Sequence, residues 1–101
     1  MSDFTSVAKT SDLPPGECKV VDAGGTSVAL FNVDGTFYAL DNTCVHKGGP
    51  LGEGFCEGNI VKCPWHGWPY DITTGECPRH EGQKVDAYEV QVLGDDVQVK
   101  V

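Results

Sequence analysis

The sequence predicts an all-β fold, a sandwich or barrel of short antiparallel strands. Two segments alternate or pair around tight turn signals, and thirteen glycines with six prolines interrupt most windows long enough for a helix. Over about 42–58, and again at 64–69, the β pattern gives way to Gly, Pro, Cys and His. These stretches read as loops, and loops on a rigid β scaffold are where functional groups gather.

In chain order, a short helical turn fits near Ser11-Asp12-Leu13 or at Asp41–Thr43. Glu17–Val21 is a strand candidate, closed by a turn at Ala23-Gly24-Gly25. Val28–Phe31 and Thr36–Leu40 flank Asp34-Gly35, a strong hairpin signal, because two-residue hairpin turns need positive φ. Asn59–Cys63 is a further strand. Near the end, Tyr88, Val90 and Val92 alternate with Glu89 and Gln91. After a turn at Leu93-Gly94-Asp95-Asp96, Val97, Val99 and Val101 alternate with Gln98 and Lys100. Period two across a turn predicts a second hairpin with one buried face.

The chain has 101 residues, which fits one domain with one modest core. No apolar run exceeds a few residues, so no membrane span is expected. The N-terminus has neither a basic start nor an apolar run, so no secretory signal is expected and the location is read as cytoplasmic. Fifteen acidic residues against seven basic ones give a net charge of -8. A nucleic-acid partner is excluded on that balance, and basic protein surfaces are favoured.

Five cysteines in a reducing compartment point to metal more than to disulfides. Cys44, Cys56, Cys63 and Cys77 share positions 44–80 with His46, His66 and His80, while Cys18 stands apart. The first loop carries a Cys44-x-His46 pair and the second a Cys63-x-x-His66 pair. Glycine follows the second His directly and the first after one Lys, so backbone can approach a cofactor closely. Two thiolates and two imidazoles suit tetrahedral zinc, and they also suit a mixed-ligand [2Fe–2S] cluster. Zinc sites usually group Cys with Cys and His with His. Here each loop supplies one of each, which a two-iron cluster explains and a single zinc does not require.

The segments CVHKGGPLGEG and CPWHGWPYDITTGE, running from Cys44 to Glu76, resemble the Rieske iron–sulfur family, specifically its small soluble ferredoxins. The resemblance implies three small antiparallel sheets with two cluster-binding loops at one end, about 43–52 and 63–69, in a single domain over 1–101. It implies one [2Fe–2S] cluster, with Cys44 and Cys63 on the inner iron and His46 and His66 on the outer iron. It further implies a one-electron carrier, itself no enzyme, that passes electrons from a flavin-containing reductase to a terminal oxygenase and works as a monomer. A fixed redox subunit of a larger oxidoreductase and a zinc-stabilised binding module are the alternatives. An oxygenase acting alone is excluded, because once His46 and His66 are used only His80 remains for a second iron.

Respiratory Rieske proteins resemble this pattern but carry an extra disulfide-bonded Cys in each loop, at the positions of Gly49 and Trp65, and a Ser where Trp68 stands. Tyr70 keeps the family's Tyr position, so one sulfur-directed hydrogen bond is expected. Fewer donors predict a potential toward the lower end of the Rieske span of roughly -150 to +300 mV. Oxidised, two ferric ions, two sulfides and two thiolates sum to zero charge, so adding an electron costs less than in a four-Cys cluster near about -400 mV. Exposed His ligands predict a potential that falls at alkaline pH. Trp65, Trp68, Leu51 and Pro64 are candidate low-dielectric walls. His80 reads as a surface residue, Pro78 as part of a covering loop, and Cys18 as a small buried hydrophobe. Cys56 and Cys77 read as free thiols, core residues or a pair, and Asp71 as the anchor of the Thr73-Thr74-Gly75 turn.

Overall fold

The computed structural model describes residues 4–43, 49–65, 67–78 and 82–100. Among these residues nine strands follow in order: β1 (Phe4–Lys9), β2 (Cys18–Ala23), β3 (Thr26–Val33), β4 (Thr36–Asp41), β5 (Phe55–Glu57), β6 (Ile60–Lys62), β7 (Pro69–Asp71), β8 (Ala87–Leu93) and β9 (Asp96–Lys100). Their pairings are antiparallel. One sheet has six strands in the order β1-β9-β8-β4-β3-β2, and a small sheet has the order β5-β6-β7. The six-stranded sheet is two smaller ones run together, joined where β4 meets β8 at only two residue pairs, Ala39 with Tyr88 and Leu40 with Ala87. Its outer strands β1 and β2 approach each other, so the sheet curls toward a closed barrel.

Both hairpins stand where the turn chemistry puts them. Asp34 and Gly35 have φ of 52° and 92°, and Val33 pairs with Thr36. Asn32 holds that turn, accepting from the Gly35 N–H through Oδ1 at 2.8 Å while its Nδ2 donates to the Leu13 carbonyl at 2.8 Å. In the second hairpin Leu93 pairs with Asp96, so the turn proper is Gly94-Asp95. Its buried face is carried mainly by Val97 and Val99, whereas Val92 on the partner strand is 45% exposed. β8 lies toward solvent along its outer half, which leaves Val92 without a facing layer.

β3 explains why its central run Val28-Ala29-Leu30-Phe31 is continuously apolar. Successive side chains point to opposite faces. Ala29 and Phe31 enter a core with Leu40, Leu51, Val61, Cys63, Tyr70 and Ile72, while Val28 and Leu30 enter a second core with Val21, Ala39, Val97 and Val99. The first core cements the small sheet onto the large one. The second fills the curl of the large sheet.

Of the two places expected for a short helical turn the first holds, and the expectations for Asp41–Thr43 and for 42–58 are corrected. The helical turn falls on Thr10–Asp12, where the Asp12 carboxylate accepts from the Lys9 N–H. Asp41–Thr43 is instead strand end and bridge, because Thr43 pairs with Pro50. The stretch 42–58 is not all loop: Leu51–Glu53 forms a 3-10 turn and Phe55–Glu57 is β5. β5 is only three residues long and its Phe55 is 66% exposed, so it shows no sequence alternation toward a core. Among the described residues no helix is long and apolar enough to cross a membrane.

Candidate metal centre

The two Cys/His loops leave the scaffold through pinched necks. In the first, Thr43 bridges Pro50, and the Leu51 N–H donates to the Asn42 carbonyl at 2.7 Å. The Asn42 side chain adds a second clasp, its Oδ1 accepting from the Gly52 N–H at 2.8 Å and its Nδ2 donating to Ser27 Oγ at 3.2 Å. In the second, Lys62 pairs with Pro69, and the Cys63 N–H donates to the Trp68 carbonyl at 2.9 Å. The Gly67 N–H then donates to the Cys63 carbonyl at 3.1 Å. Backbone hydrogen bonds at each base fix where the chain leaves and returns.

The loops meet. A Cβ on Gly49 would stand 2.7 Å from Cys63 Sγ and 3.0 Å from Trp65 Cγ, closer than real Cβ contacts come. Glycine is therefore required there, because residue 49 lies directly on the sulfur and the indole of the second loop. Gly49 and Trp65 thus lie against each other.

Of the four expected ligands, Cys63 is described: it is 1% exposed and belongs to the core beneath the loops. Cys44, His46 and His66 lie outside the described residues, as does His80. The donor chemistry of the described part fits the group. The buried Cys63 sulfur lies against Gly49, where a Cβ would fill the space beside it.

The expected walls separate into two kinds. Leu51 is fully buried in the core that holds Cys63, and Trp68 packs against that core. Pro64 is half-buried, and Trp65 is 49% exposed with its inner ring atoms over Gly49. Trp68 thus packs as expected, whereas Trp65 presents an edge of the centre to solvent. Tyr70 is fully buried in β7, opposite Val61. Asp71 anchors its turn as expected, accepting from the Thr73 N–H at 2.9 Å and from Thr73 Oγ1 at 2.6 Å. Pro78 is exposed, beside undescribed residues 79–81.

The remaining cysteines divide in a way that linear order does not reveal. Cys77 is a buried core residue. Cys18 and Cys56 are each half-buried and line one surface cleft, away from Cys77 in the core. Their separation by almost forty positions hid this; only the packing of the 3-10 turn Leu51–Glu53 against β2 brings β5 alongside.

Comparison with known proteins agrees with this architecture. A biphenyl dioxygenase ferredoxin subunit from Pseudomonas sp. (strain KKS102) is 36% identical over 100 residues, spanning 95% of this chain and 90% of its own. The ferredoxin of carbazole 1,9a-dioxygenase from Nocardioides aromaticivorans IC177 superposes with a TM-score of 0.90 at 28% identity, covering 98% of each chain. A structure of reduced oxygenase with oxidised ferredoxin in carbazole 1,9a-dioxygenase contains a chain matching at TM-score 0.87 and 29% identity, over 99% of this chain and 94% of that one. The Rieske [2Fe-2S] domain matches over residues 3–98, and the chain belongs to that family.

Proposed function

We propose that residues 1–101 act as a single-domain, monomeric one-electron carrier in the cytoplasm. It takes electrons from a flavin-containing reductase and delivers them to a terminal oxygenase. Cys44 and Cys63 hold one iron of a single [2Fe–2S] cluster, and His46 and His66 hold the other. When bound, the cluster supplies a one-electron couple; the chain supplies everything else.

The observation that carries this reading is the junction of Gly49, Cys63 and Trp65. It joins the two ligand-bearing loops at one point, with a buried sulfur beneath and a half-exposed indole above. Leu51 and Trp68 exclude water from the inner side, where a low dielectric magnifies charge interactions. Tyr70 is the hydrogen-bond donor toward a cluster sulfur, and Trp68, lacking a hydroxyl, leaves the potential in the lower part of roughly -150 to +300 mV. The ferredoxin components among the relatives, and the ferredoxin in complex with an oxygenase, support the choice of partners. The net charge of -8 steers the carrier to basic docking patches.

The test is direct. Purified protein should be red-brown, contain iron and acid-labile sulfide in equal amounts, and show an EPR signal only after reduction. A flavin reductase should reduce it, at a rate that falls as salt rises, and the reduced protein should reoxidise on an oxygenase with its substrate. Colourless protein holding zinc would overturn the redox reading. Partners that co-purify with it as one stable complex would make it a fixed subunit.

A further inference from the structure

Cys18 begins β2 in the six-stranded sheet, and Cys56 is the middle residue of β5 in the three-stranded sheet. Neither belongs to the metal centre, and the electron-carrier reading uses neither. The chain is built to bring them together. A Cβ on Gly52 would stand 2.7 Å from Val20 Cγ2 and 2.8 Å from the Lys19 carbonyl, so the segment leading into β5 lies directly on β2. The Cys18 thiol reaches the Gly54 carbonyl at 3.7 Å, two residues before Cys56. Both thiols line one open surface cleft of about 440 Å³, together with Glu17, Gly54 and Glu57. Small oxidants therefore have access to two cysteines that share one cleft.

We propose that Cys18 and Cys56 form a reversible disulfide that staples the small sheet to the large one when the protein meets a peroxide or a small disulfide oxidant. The two sulfurs are not equivalent. Interaction between the two side chains shifts the Cys18 thiol down and the Cys56 thiol up. In the proposed sequence Cys18 attacks first and Cys56 resolves. With hydrogen peroxide, Cys18 sulfur attacks one oxygen and the O–O bond breaks, giving the Cys18 sulfenic acid and one water. Cys56 sulfur then attacks Cys18 sulfur, and its proton leaves with the hydroxyl as the second water. The two thiols lose two electrons and two protons, and the peroxide is reduced to two waters. With oxidised glutathione, Cys18 takes up one glutathione and releases the other as thiol. Cys56 then displaces the second, and excess reduced glutathione reverses both steps.

The bond would close a loop of about 40 residues that contains the first ligand loop, so its main effect is on the unfolded chain. The experiment uses the cluster-loaded protein, titrated with oxidised glutathione, quenched in acid and alkylated in denaturant with a maleimide. The expected result is two fewer alkylated cysteines than in the untreated protein, no retained glutathione, and a proteolytic peptide joining Cys18 to Cys56. The melting temperature should rise by roughly 10 °C or more on oxidation, and return on reduction. Cys77→Ser should keep all of this, and Cys56→Ser should lose the linkage and the rise while accumulating a glutathione adduct on Cys18. Full alkylation after treatment, a linkage to any other cysteine, or a stable glutathione adduct on Cys18 of the unmutated protein would overturn the proposal.

Discussion

Gly49 lies on Cys63: a methyl group added to the glycine would come within 2.7 Å of the cysteine sulfur. The two residues belong to different loops, fourteen positions apart in sequence, and each loop is tied at its own neck by backbone hydrogen bonds. A side chain at residue 49 must therefore displace the sulfur or the Trp65 ring. Gly49→Ala should therefore yield protein with a low iron content and a changed visible spectrum. Gly58→Ala is the comparison, because a Cβ there meets nothing within 4 Å. Its positive φ should cost only about 1 kcal/mol, leaving the iron content intact. Iron and sulfide analysis of both purified variants checks the pair; equal loading would mean that the contact does not hold the centre.

Two histidines supply the nitrogen side of the proposed ligand set. His46→Ala and His66→Ala should each abolish or grossly alter the visible chromophore, while His80→Ala should leave it unchanged. Absorption and EPR spectra of the three proteins make the measurement. A spectrum that survived either of the first two changes would remove the basis of the cluster assignment.

Asn42 clasps the first loop with both ends of its amide. Asn42→Ala removes the acceptor of the Gly52 N–H, and Gly52 is buried, so about 1–2 kcal/mol of stability should be lost. The neck would keep its backbone bond from Leu51. We expect the variant to fold, to melt several degrees lower, and to give up its iron faster to a chelator. Unaltered iron release would show that the backbone bridge alone sets the neck.

Tyr88 provides a pH signature at the seam where β4 meets β8. Its hydroxyl donates to Asp41 Oδ2 at 3.4 Å. Burial, then the negative charges of Asp41 and Asp86, raise its pKa above the ordinary 10.0. As pH rises from that unfolded value toward the higher folded one, the native state keeps a proton that the unfolded chain has lost. Stability conferred by the neutral phenol is thus intact below about 10 and declines above it. Tyr88→Phe should flatten the alkaline limb of a stability-against-pH curve measured by denaturant unfolding. An alkaline slope unchanged in the variant would assign the decline to other groups.

What the chain could declare by itself was local. Asp34-Gly35 and the alternating valines around Gly94-Asp95 announce hairpins because turn φ angles and side-chain alternation are properties of a few adjacent residues. The Cys-x-His and Cys-x-x-His pairs were legible for the same reason, since a short loop must aim its own neighbours together. Length mattered too: β5 and the Leu51–Glu53 turn escaped notice because three residues carry no readable period. The contact of Gly49 with Cys63 and the meeting of Cys18 with Cys56 were decided only by the tertiary structure. Each joins residues whose approach depends on how the small sheet seats against the large one, through a core shared by Phe31, Leu51, Val61 and Tyr70. That seating is the summed packing of many side chains, and no short window of sequence contains it.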